Sequence, residues 1–156
     1  MLDAYIPEGA LTPEAEEALL ARLTDILLEN EGADPGNEVA RSIAWVFLHR
    51  TEVFVAGERA ELPRYKIVAS VPQGQFDDER RAALVAAATE AVLDADGRDR
   101  DPMRVWVFPT EIPDGTWGGG GQIVRLADIA GIVMGDAEKG RRYAERRLGT
   151  AAPAAV

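Results

Sequence analysis

Apolar positions along the chain alternate between two periods. Residues 2–7 and 64–71 are short runs rich in β-branched and aromatic side chains and closed by Pro and Gly, which predicts strands ending in turns. After the first run, Leu19, Leu20, Leu23, Ile26 and Leu27 recur at helical spacing, with Glu16, Glu17, Arg22 and Asp25 on the opposite side. Thr12-Pro13 supplies an N-cap and a proline at the first helical position. The second run is followed by a helix capped by Asp77 or Asp78. It turns the smaller Leu84, Ala88, Ala91 and Val92 inward, which predicts a close approach to a sheet. Gly32 and Gly97 stop the helices, each before a polar loop containing Asp34-Pro35 or Asp101-Pro102. Residues 41–49 and 103–109 read as the closing strands.

This order occurs twice. Pro7-Glu8-Gly9-Ala10-Leu11 recurs as Pro72-Gln73-Gly74-Gln75-Phe76, an offset of 65 that also relates Thr24-Asp25 to Thr89-Glu90 and Glu31-Gly32 to Asp96-Gly97. Trp45-Val46-Phe47 then matches Trp106-Val107-Phe108 at an offset of 61, and Thr51-Glu52-Val53 matches Thr110-Glu111-Ile112 at 59. Small deletions in loops account for the drift.

A strand–helix–strand unit of this length is a right-handed βαβ crossover with parallel strands. The expected fold is therefore α+β: a tandem duplicated βαβ whose four strands form one mainly parallel-unit sheet, with two helices on one face and short hairpins. The units span residues 1–62 and 63–132, and residues 133–156 form a C-terminal helix and tail, all within one compact domain. The other sheet face then lies bare. Tyr5, Ile43, Trp45, Phe47, Val105 and Trp106 exceed what two helices can cover, so self-association through that face is expected. A ferredoxin-like or dimeric α+β barrel with antiparallel strands is the competing fold.

Composition narrows the function. With 27 acidic and 17 basic residues the net charge is -10, opposite to what phosphate backbones or anionic membranes attract, so neither nucleic acid nor membrane is an expected partner. The absence of cysteine excludes disulfides and thiolate chemistry, and the single histidine, His49, excludes a His-rich metal centre. No apolar run reaches membrane-spanning length and the start lacks a basic-then-apolar pattern, so the cytoplasm is the expected compartment. Lys139, Arg141, Arg142, Arg146 and Arg147 make residues 136–147 locally basic, which reads as a solvated helix, or alternatively a subunit contact, ahead of an Ala-rich end that frays from Gly149 on.

The duplicated βαβ, the turns Pro7-Glu8-Gly9 and Pro72-Gln73-Gly74, and the hairpins Phe54-Val55-Ala56-Gly57 and Trp117-Gly118-Gly119-Gly120-Gly121 together resemble the tautomerase superfamily over about residues 1–130. The likeness is to its fused two-unit branch, relatives of 4-oxalocrotonate tautomerase and cis-3-chloroacrylic acid dehalogenase. The resemblance implies a homotrimer of fused chains and cofactor-free keto–enol chemistry on a small α-keto or unsaturated carboxylate. It also implies that an N-terminal proline amine carries the proton. By the family spacing that proline falls one position before Met1. Either the natural product begins Met-Pro-Met1-Leu2, or the chain is a member without the proline and Met1 offers its own amine. An α-amine has an ordinary pKa of about 7.7–8.0, which burial lowers toward neutrality.

Other departures bear on the reaction. Where the family carries arginines near the Gly turn stand Ala10, Pro72 and Gln75, and where its dehalogenases carry a histidine, a tyrosine and an acid stand Ile26 or Leu27, Phe108 and Gly119. Dehalogenation is thereby disfavoured. The catalytic candidates are Met1, Arg41, His49 and Arg50, with the His49 imidazole as a candidate proton carrier. Arg64, Arg104, Trp106 and Trp117 are the substrate-binding candidates, the arginines because a guanidinium holds a carboxylate bidentately. The alternative function is a catalytically inactive or non-proline binding or structural protein of the same fold.

Overall fold

The computed structural model describes residues 1–149; the Ala-rich end expected to fray lies mostly outside them. Strand β1 (Leu2–Pro7) leads into helix α1 (Pro13–Glu31), a short helix α2 (Glu38–Ile43) and strand β2 (Val46–Thr51). A hairpin of β3 (Phe54–Val55) and β4 (Glu58–Arg59) closes the first unit. The second repeats it with β5 (Tyr65–Pro72), α3 (Asp78–Asp96), β6 (Val105–Ile112) and the hairpin β7 (Trp117–Gly119) and β8 (Gln122–Val124). Two further helices follow, α4 (Leu126–Met134) and α5 (Ala137–Leu148).

The sheet order is β2-β1-β5-β6. Strands run parallel within each unit and antiparallel where β1 meets β5, which removes the wholly antiparallel alternative. Leu2 pairs with Ala69, Asp3 with Val68 and Ala4 with Ile67, so the offset of 65 makes the central pairing self-complementary about Asp3 and Val68. A local twofold axis therefore relates the units. Leu2 stands beside Val46 and Ile67 beside Val107, which fixes the second-strand offset at 61. That offset persists to the strand ends, where Pro7 faces Thr51 and Pro72 faces Ile112. The match at 59 is therefore a likeness of composition and not a structural equivalence.

Leu2, Ala4, Ile6, Ile67, Ala69 and Val71 alternate inward beneath α1 and α3, where Leu23, Ile26, Leu27, Leu84, Ala88 and Val92 complete the core. The Thr12 side chain accepts from the Ala15 N–H and that of Asp77 from the Arg80 N–H, which settles the second cap. Gly32 and Gly97 end the helices at φ 86° and 66°, a conformation costly for any residue with a Cβ.

Three expectations need correction. Residues 41–43 are helical, because Asn37 accepts from the Val39 and Ala40 N–H groups and starts α2; the strand begins only at Val46. Residues 102–104 form a 3₁₀ turn under an Asp101 cap, so β6 starts at Val105 and extends to Ile112. Val105 points into the core, whereas Trp45, Phe47, Trp106 and Phe108 remain exposed on the bare face. The expected C-terminal helix is present as α5, and the structure adds α4 before it, on which α5 packs, while Arg147 donates to the Gly74 and Gln75 carbonyls.

Candidate active site

Antiparallel placement of the units brings the hairpin that leaves one unit over the first strand of the other. The β7–β8 hairpin of the second unit reaches Met1, and the β3–β4 hairpin of the first reaches the start of β5. Both hairpins turn through two residues with positive φ, Ala56-Gly57 and Gly120-Gly121, as two-residue turns matched to strand twist require. Each hairpin covers one cavity.

The first cavity, about 400 Å³, contains Met1 and Glu31 between Trp45, Phe47, Trp117 and the apolar edges of α2 and α4. Met1 is held as an extension of β1: its amine donates to the Ser70 carbonyl at 3.0 Å, and its carbonyl accepts from the Ser70 N–H at 2.9 Å. Burial lowers the pKa of the amine from 8.0, opposed by the charges of Glu31 and Asp3. Burial also raises the Glu31 carboxyl from 4.5 to about 7, opposed by the amine. An amine and a carboxyl in one apolar pocket are thus both drawn toward neutral pH. Such a pair can exchange a proton with a bound carbon acid at little cost.

Glu31 was not among the sequence candidates, although the repeat signalled it. Glu31-Gly32 and Asp96-Gly97 each place an acid in the last helical turn, where the helix dipole disfavours negative charge and where neither helix carries a basic residue. An acid kept twice against that field needs a separate reason. In the second unit the reason is structural. Asp96 accepts from Tyr65 Oη at 2.6 Å, from Arg98 Nη1 at 2.6 Å and from both terminal nitrogens of Arg104 at 2.9 Å. Burial opposes ionisation of Asp96, and these donors outweigh it, holding the carboxyl below its ordinary value. In the first unit Glu31 meets no such donors, and the chain's amine faces it instead.

The other candidates are dispersed. Of the eight, Met1 and Trp117 line the first cavity, while Arg64, Arg104 and Trp106 line the second, of about 630 Å³. Arg104 is only 1% exposed and is committed to Asp96. Arg41 lies on α2 and donates to Asp25 and to the Pro35 carbonyl. Arg50 is paired with Glu16. His49 lies on the bare face, stacked 4.3 Å from the Tyr5 ring and 2.7 Å from Asp3 Oδ1. None of Arg41, His49 and Arg50 lines either cavity. Among the described residues no cluster of His, Cys, Asp and Glu could hold a metal, and no helix is long and apolar enough to cross a membrane.

Tandem βαβ units joined by a local twofold, each start-of-strand cavity covered by the other unit's hairpin, define a duplicated class of β-α-β protein. Residues 67–127 match the family model of the tautomerase enzymes. Solved structures agree over most of the chain. Pt0534 inactivated by 2-oxo-3-pentynoate is 25% identical with a TM-score of 0.65, over 78% of this chain and 93% of that one. The Q0 fused 4-OT symmetric trimer is 28% identical with a TM-score of 0.60, over 78% and 92%. N1, of the cis-3-chloroacrylic acid dehalogenase family, is 19% identical with a TM-score of 0.66 over 91% and 88%, a likeness of fold alone. No curated protein matches the chain in sequence. Residues 67–127 thus carry a tautomerase-family match, and the fold as a whole is similar to that of fused two-unit structures of the tautomerase superfamily.

Proposed function

We propose that the Met1 cavity catalyses cofactor-independent keto–enol tautomerisation of a small α-keto acid with an apolar or aromatic substituent. The observation that carries this is the Met1 amine and the Glu31 carboxyl sharing one apolar pocket, each drawn toward neutral pH by burial. One member of the pair removes a proton from the enol oxygen while the other delivers one to carbon, so the step conserves atoms and electrons and needs no added reactant. Trp45, Phe47 and Trp117 suit an apolar substituent, and among the described residues no arginine or lysine side chain lines this cavity. The α-keto acid class is supported by Pt0534, which 2-oxo-3-pentynoate inactivates.

The exposed sheet face bearing Trp45, Phe47, Trp106 and Phe108 suits assembly with sister chains. Trimeric fused relatives support a homotrimer. The missing cation favours one second reading: a binding protein of this fold that holds its ligand without turning it over.

The test is labelling with 2-oxo-3-pentynoate followed by peptide mass mapping. Conjugate addition forms a bond from the amine nitrogen to the alkyne, the amine proton passing to the adjacent carbon, so the first peptide gains the whole mass of the reagent. Label at the Met1 amine, prevented by phenylenolpyruvate and accompanied by ketonisation of that compound, is the expected result. Protection without turnover selects the binding reading. Absence of label at Met1 overturns the proposal.

A further inference from the structure

The second cavity is related to the first by the local twofold but differs in chemistry. It lies between Tyr5, the starts of β5 and β6 and the β3–β4 hairpin. The Met1 amine does not line it, and the acid equivalent to Glu31, Asp96, is sealed by Tyr65, Arg98 and Arg104. A proton-transfer pair is therefore missing there. What the cavity does hold is unspent positive charge.

Arg64 is half-buried on its lining and makes no hydrogen bond or ion pair with any described residue. Only Arg146, on α5, shares that state among the described arginines. Lys66 has no carboxylate partner either: its Nζ lies 4.7 Å from the Tyr5 ring centre and 5.7 Å from that of Phe108. In a chain with ten more acidic than basic residues, two cations without a carboxylate at one cavity run against the statistics of the surface. The acids on the same lining are engaged elsewhere, Glu52 by Arg59 at 2.9 Å and Asp101 by the Met103 N–H at 2.9 Å.

A third observation is independent of charge. Thr51 Oγ1, on this lining, is the one buried side-chain polar atom without a hydrogen-bond partner among the described residues. An orphaned hydroxyl costs about 1–3 kcal/mol unless something hydrogen-bonds to it. Aromatic surface completes the site: Phe54 and Trp106, both on its lining, are 54% and 59% exposed in the single chain. A guanidinium and an ammonium for a carboxylate, a hydroxyl for a polar substituent and aromatic walls for a ring form one consistent set.

We propose that this cavity is a second, non-catalytic binding site for a small aromatic carboxylate, gripped by Arg64 and Lys66 and flanked by Trp106 and Phe54. The proposal is independent of the chemistry at Met1.

The test is calorimetric titration of the full chain with trans-cinnamate, with neutral cinnamamide as control and the tryptophan indole N–H resonances as reporters of place. Saturable binding of cinnamate is expected, with cinnamamide weaker by at least about tenfold. Arg64→Gln and Lys66→Gln should each weaken cinnamate by a comparable factor. Lys66 is exposed, so its variant folds even if Arg64 proves structurally sensitive. The Trp106 indole should shift and Trp117 should not. No saturable binding, equal affinity for the amide, undiminished binding by both variants, or a shift confined to Trp117 would each overturn the proposal.

Discussion

Replacing Glu31 with Gln keeps the shape of the side chain and removes its ability to ionise. Burial raises the wild-type carboxyl from 4.5 to about 7, so ionising it in the folded chain costs about 3 kcal/mol more than in the unfolded chain. Because the folded value lies above the unfolded one, this contribution is fully present below about pH 4.5. It is lost progressively as the pH rises through about 7. Glutamine has no such dependence. The variant should therefore gain on the wild type by about 2–3 kcal/mol between pH 5 and pH 8. Met1 titrates in the opposite sense. Its lowered amine favours the folded state above its ordinary value and loses that contribution as the pH falls, in both chains. Urea unfolding followed by tryptophan fluorescence at the two pH values measures the difference, at one protein concentration so that any self-association is constant. A difference that stays within about 0.5 kcal/mol across this range, or a wild type that gains on the variant as the pH rises, would refute the reasoning, since such shifts exceed ordinary surface effects.

Three other expectations follow from the same geometry. Arg104→Leu removes the two Arg104 bonds to the buried Asp96 carboxylate, leaving it only Arg98 and Tyr65, and should cost about 3–5 kcal/mol in chemical denaturation, most of it recovered by adding Asp96→Asn. A Cβ at Gly140 would lie 2.3 Å from the Gly131 nitrogen and 2.6 Å from the Ala127 carbonyl oxygen, so Gly140→Ala should separate α5 from α4. Amide exchange in α5 should then accelerate while β1 and β5 keep their protection. Phe47→Glu places a charge on the bare sheet face and should shift the sedimenting species from about three chains to one, with secondary structure unchanged.

The duplication was legible because the physical constraints on it are local. Thr12, Asp77, Gly32 and Gly97 bound the long helices through capping that each residue performs by itself, and the offset of 65 survives as the register of β1 on β5. Helix α2 was missed because Asn37 begins it inside what reads as a loop leading to a β-rich run; an Asn that accepts from two backbone N–H groups outweighs the strand preference of Val39 and Ile43. Helix α4 was missed because Ile129, Ile132 and Val133 also suit a strand, and only α5 packed beside them decides the matter.

The candidate site was legible in part. Met1 and Trp117 come together because the units are antiparallel, a relation fixed by β1–β5 pairing and invisible in either unit alone. Arg104 shows the opposite case: from its place before a strand it reads as a surface cation, and it is buried because it neutralises, together with Arg98, the buried carboxylate of Asp96 eight residues earlier. Glu31 stood in the repeat as half of a matched pair. Its chemistry depends on the lack of an equivalent to Arg104 in the first unit, a contrast between two environments that composition and spacing do not carry.

The account rests on proton transfer between a bound carbon acid and the Met1–Glu31 pair, and the pH dependence of kcat/KM for phenylenolpyruvate ketonisation tests it most directly. The wild type should show an inflection near pH 7, and Glu31→Gln should lose that inflection together with at least about tenfold in kcat/KM. A variant that keeps both the rate and the inflection of the wild type would contradict the account.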